Sequence, residues 1–92
     1  MWHRARIRDR EPATPADCTT VRWLRTTFGD GAFTATTAQT AAQAWYAGRG
    51  WPAATPGIPE GLPAWGVRLR GLYWAGLTER GPQGYRLVKG ER

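Results

Sequence analysis

The sequence predicts a small, mostly helical α+β domain, with three helices followed by a C-terminal β-hairpin. Three observations predict it. Apolar residues recur at helical spacing in three separate stretches. A basic helix stops at Gly76 and runs directly into two short strands, 77–80 and 85–88. Between those strands, Gly81-Pro82-Gln83-Gly84 carries Pro and Gly where a β-turn favours them. Ninety-two residues make one domain, and six Trp, three Tyr and two Phe supply its buried area. Cys18 is the single cysteine, so no intrachain disulfide forms. One His and one Cys cannot make an ordinary four-ligand zinc site. No metal or cofactor is expected, and the fold must hold by packing alone.

Residues 1–13 read as a basic arm ahead of a domain spanning 14–92. Arg4, Arg6, Arg8 and Arg10 fall at every second position, so an extended arm places all four on one side. Asp9 and Glu11 dilute the charge. The arm has three readings: a segment that follows phosphate or enters a minor groove, an edge strand, or a disordered tail. A first helix is predicted over 15–28, with Thr14 as N-cap, Pro15 at N1 and Asp17 at the positive end of the helix dipole. Cys18, Val21, Leu24 and Phe28 form its inner stripe, which makes Cys18 a small core residue. Arg22 and Arg25 lie off the stripe, and are read as solvated or, less favoured, as phosphate contacts. Gly29 and Gly31 end the helix.

Residues 32–34 are a candidate short strand carrying Phe33. A second helix is predicted over 36–47, capped by Thr34 or Thr36, with Ala38, Ala41, Ala42 and Trp45 on its inner side. So small a face lets another helix cross closely. Residues 48–63 hold four Pro and four Gly, which exclude a regular helix or a central strand. A loop of about 15 residues in so small a domain is often functional. Trp51 and Ile58 are expected to pin it.

The third helix is predicted over 63–75. Trp65, Leu69, Leu72 and Gly76 lie on one face. Val67 and Arg70 lie opposite, Arg68 lies on the flank, and Trp74 points away from the stripe. Gly66 and Gly71 each lower helicity by about 1 kcal/mol relative to Ala, which suggests close approach of a backbone, from the first helix or from nucleic acid. In the hairpin, Leu77 and Leu87 are expected to face the core, and Arg80, Arg86 and Lys89 make it basic.

Thirteen basic residues against seven acidic give a net charge of +6, which draws a small domain to polyanions. Arg outnumbers Lys twelve to one, and Ser and Asn are absent. That is what GC-rich coding produces, as in a high-GC bacterium or its phage. Codon bias explains Arg over Lys better than it explains the basic excess.

The run from 65 to 88 resembles a winged helix-turn-helix domain. The matching features are Trp65, Leu69 and Leu72 before Gly76-Leu77, then Glu79-Arg80, a Gly-containing turn and Tyr85-Arg86-Leu87. Upstream, Phe33-Thr34 before an Ala-rich helix resembles the family's short first strand and second helix. The resemblance covers about two thirds of the chain. It implies the order helix, strand, helix, helix, strand, strand, with the long Pro/Gly loop inserted before the third helix. It also implies a third helix in the major groove of double-stranded DNA and a hairpin wing over the adjacent backbone. By position, Ala64, Val67, Arg68 and Arg70 would face the groove, and Arg80, Gln83 and Arg86 would form the wing. Arg4, Arg6 and Arg8 of the arm join them as DNA-binding candidates. The implied function is a transcriptional regulator or an accessory protein of a phage or mobile element.

A protein-docking winged helix that modulates a larger nucleic-acid-processing enzyme is the alternative. Trp2, Trp51 and Trp74 have no obvious core position, and Trp and Arg are enriched at interface hot spots. Trp51 and Trp74 are the candidate partner-binding residues. RNA is a third class. An enzyme is not expected: there is no Ser, His3 lacks a placed nucleophile, and no carboxylates pair at helical spacing. The run at 48–52, GRGWP, lacks the ending of a phosphate-binding loop. No apolar run fits a secretory signal or a membrane span. The expectation is a cytoplasmic monomer or weak homodimer.

Overall fold

In the computed structural model, which describes residues 1–49 and 57–88, the first helix begins where local chemistry dictates. Thr14 takes extended backbone and its hydroxyl accepts from Asp17 N at 3.1 Å, while the Asp17 carboxylate accepts from Thr14 N at 3.0 Å. This reciprocal capping box, with Pro15 in the first turn, starts α1, Pro15–Phe28. Thr34 and Thr37 form a second capping box at the start of α2, Ala35–Gly48. α3, Leu62–Trp74, starts at Gly61 without a side-chain cap. β1, Thr78–Gly81, and β2, Gly84–Leu87, close the order as an antiparallel pair with Thr78 opposite Leu87 and Gly81 opposite Gly84. The fold is therefore α+β, mostly helical, with a two-stranded hairpin.

The inner face of α1 differs from the expected stripe. Asp17, Thr20, Trp23 and Leu24 are buried, whereas Cys18 is exposed and Val21 is half-buried. Cys18 is thus a surface thiol rather than a core residue. The helix is rotated because two polar side chains have partners inside. The Thr20 hydroxyl donates to carbonyls of Ala16 and Gly57. Asp17 meets Arg68 at 3.1 Å. That rotation brings Trp23 inward, where it packs on Trp65 with ring centroids 5.6 Å apart.

Ala38 and Ala42 are fully buried on α2, as the small face requires, and Tyr46 extends that face. The Tyr46 hydroxyl donates to the Ile58 carbonyl at 2.6 Å, and Ile58 is itself in the core. Ile58 thus pins the far end of the inter-helix loop. Trp51, Gly50 and Lys89 lie outside the described residues. α3 contributes Trp65, Leu69 and Leu72, all without solvent exposure.

A single row crosses the hairpin. Phe33 exchanges two backbone hydrogen bonds with Tyr85 of β2, at 2.8 and 2.7 Å. His3 does the same with Arg80 of β1, at 2.7 and 2.8 Å. Arg80 and Tyr85 are themselves opposite each other. One-residue bridges therefore cover both edges of the hairpin, which would otherwise expose unpaired backbone groups. Gly84 makes the Phe33 bridge possible. Its φ is +107°, and a Cβ there would lie 2.4 Å from the Phe33 carbonyl oxygen.

The arm is docked on the body. Beyond His3 it buries Ala5, makes a short 3-10 turn at Ile7–Asp9, and ties Glu11 N to the Trp74 carbonyl at 2.8 Å. The turn breaks the two-residue alternation, so the four arginines do not share one side. Arg10 turns inward instead, its Nε donating to the Ala5 carbonyl at 3.0 Å.

Candidate functional site

Thirteen residues make α3, and its outward stripe follows from its inward one. With Trp65, Leu69 and Leu72 in the core, the opposite side of a helix at about 100° per residue holds Pro63, Val67, Arg70 and Trp74. All four are exposed, Val67 to 68% and Trp74 to 40%. Gly66 and Gly71 flank this stripe on either side. A Cβ at either would meet nothing within 4 Å. Neither glycine is therefore required by α1 or any other part of the described chain, so of the two backbones expected to approach them, the first helix is not the one.

Arg68 departs from its expected place in the groove-facing set. Its guanidinium turns onto Asp17 at 3.1 Å, and the side chain retains 29% exposure against 11% for Asp17. The pair ties α3 to the capping box of α1, so Arg68 is committed to the fold. Ala64 is exposed beside it, in a groove of about 650 Å³ that Val67, Gly71, Pro59 and Glu60 also line.

The two hairpin arginines face opposite ways. Arg80 is opposite Tyr85, and Arg86 is opposite Glu79, so the strand alternation sends them to different faces. Arg80 lies with its guanidinium carbon 5.0 Å from the Tyr73 ring centroid. Arg86 is held by Glu79 at 2.7 Å and stacks on Trp2 at 4.3 Å. The expected wing pair is thus split, and only Arg80 faces the end of α3. Gln83 sits exposed at the turn.

Where the arm arches over the end of α3, a cleft of about 440 Å³ opens. Arg4, Arg6, Arg80 and His3 line it, together with Tyr73 and Trp74, and Asp9 is its one carboxylate. Arg8 is exposed on the 3-10 turn just beyond. Trp74 belongs both to this cleft and to the outward stripe of α3, so the two are continuous. The site therefore joins Val67, Arg70 and Trp74 of α3 to Arg4 and Arg6 of the arm and Arg80 of β1. Tyr73 was not foreseen as part of it, since Tyr73 adjoins core residue Leu72 and carries no signal of its own. The Asp17–Arg68 pair spans 51 residues and has no local signature.

Among the described residues no helix is long and apolar enough to cross a membrane. Comparison with known proteins finds no matching family model, no matching curated relative and no matching solved structure.

Proposed function

We propose that this chain is a winged-helix protein that binds duplex DNA through the outer face of α3, flanked by the arm and β1. The observation that carries the proposal is the continuity of the α3 stripe with the basic cleft, in a chain of net charge +6. Arg70 is the cation of the stripe and reads base edges, where a bidentate contact to guanine discriminates by about 1–3 kcal/mol. Arg4, Arg6 and Arg80 neutralise phosphate and set affinity rather than sequence. Arg86 contributes less, because Glu79 already neutralises it. The role is that of a transcriptional regulator or an accessory protein of a mobile element.

A second reading has its own support. Val67 and Trp74 make the outward α3 face unusually apolar for a groove reader. A protein-docking winged helix would use that face against a larger nucleic-acid enzyme. A mobility-shift titration of random duplex at low salt separates the two. Binding at micromolar protein supports DNA, and no shift at tens of micromolar supports docking.

A further inference from the structure

We propose that the cleft between the arm and the end of α3 binds one unpaired nucleotide, so that the protein prefers duplex DNA carrying a single-stranded end. The proposal deepens the nucleic-acid reading by naming what this part of the surface recognises.

The cleft is built by two backbone tethers. His3 is fixed to Arg80 and Glu11 to Trp74. Between them the arm arches over Tyr73 and Trp74, whose rings meet edge to face, 5.2 Å between centroids at 79°. Arg80 covers the Tyr73 ring. Trp74 stays 40% exposed at the cleft. Arg4 and Arg6 stand at the rim, and neither is in an ion pair among the described residues.

An aromatic wall beside unpaired guanidiniums suits a ligand that is planar at one end and anionic at the other. A nucleotide is that ligand, with its base stacked on Trp74 and its phosphate between Arg4, Arg6 and Arg80. A cavity of about 440 Å³ falls in the small-ligand range and is far too small for a duplex. Bases inside a duplex have their π-faces covered by neighbours, and a terminal base pair is too wide for the cleft, so an unpaired base is what stacks there. The adjoining stripe of α3 holds the duplex from which that nucleotide emerges.

The test is fluorescence anisotropy with the full chain and three labelled probes: a blunt duplex, the same duplex with a four-thymidine overhang, and the same duplex with a four-residue abasic overhang. The abasic overhang keeps the phosphates and removes the bases. The thymidine overhang is expected to bind at least about fivefold tighter than the abasic one, as base–aromatic stacking provides. Trp74→Ala should abolish that difference, and Trp74→Phe should keep most of it. Equal affinity for the two overhangs in the wild-type chain overturns the proposal, as does a difference that survives Trp74→Ala. The blunt duplex reports on the duplex reading separately. Thymidine-dependent binding with a silent blunt duplex would reject duplex recognition and retain the cleft, whereas equal binding of all three probes would do the reverse. No binding to any probe overturns both.

Discussion

Replacing both Gly66 and Gly71 with Ala should make the protein more stable and a poorer binder. In a helix interior, Gly costs about 0.8–1.0 kcal/mol relative to Ala, chiefly in backbone entropy. That gain is realised only where the new methyl fits. At both positions a Cβ meets nothing within 4 Å. They flank opposite sides of the outward stripe and neither new methyl touches another group, so their increments add, to about 2 kcal/mol for the pair. In a domain of this size each 1 kcal/mol raises Tm by about 4–8 °C, so the double variant should melt roughly 8–16 °C higher. On the proposed duplex binding, an outside backbone approaches α3 where the two side chains are missing. A methyl forced into such a contact costs about 1–3 kcal/mol, a loss of roughly 5- to 150-fold in duplex affinity. Thermal melts followed by circular dichroism and anisotropy titrations read the two effects. An unchanged or lowered Tm would refute the open-space argument. A raised Tm with undiminished binding would refute α3 as a close-contact face.

Other substitutions test the remaining parts. Asp17→Ala removes a capping acceptor, worth about 1 kcal/mol, and strands Arg68. The total should be about 2–3 kcal/mol in urea unfolding, below the usual cost of breaking a buried pair because Arg68 keeps 29% exposure. Adding Arg68→Met should recover part of that loss. Gly84→Ala should destabilise by about 2 kcal/mol or more, through strain at φ +107° and a clash with the Phe33 carbonyl; wild-type stability would contradict the bridge geometry. Arg70→Ala should flatten discrimination between duplex sequences without lowering Tm, and Arg68→Ala should lower Tm. The opposite outcome would exchange their roles.

Legibility followed the range of the interactions. The bounds of α1 were readable because Thr14 and Asp17 sit three residues apart and cap each other. The hairpin was readable because its turn residues are contiguous. The face that α1 buries was misread, since apolar periodicity counts Cys18 and Val21 and cannot know that Thr20 and Asp17 find partners inside. The direction of Arg68 was also missed, because Asp17 is 51 residues away. The docking of the arm rests on backbone bonds at His3 and Glu11, and a single-residue bridge leaves no side-chain pattern. In the candidate site, Val67, Arg70 and Trp74 followed from helical angle alone. The gathering of Arg4, Arg6 and Arg80 around Tyr73 and Trp74 is tertiary.

The central claim is that a polyanion is held by arm, α3 and β1 together. Its most direct measurement is the salt dependence of duplex affinity. Phosphate contacts from Arg4, Arg6 and Arg80 should give a log–log slope of about −2.7. Replacing Arg4 and Arg80 with Ala should bring it to roughly −0.9 at every sequence tested. A slope near zero, or no measurable duplex binding at low salt, would contradict the account and leave the apolar α3 face as a protein-docking surface.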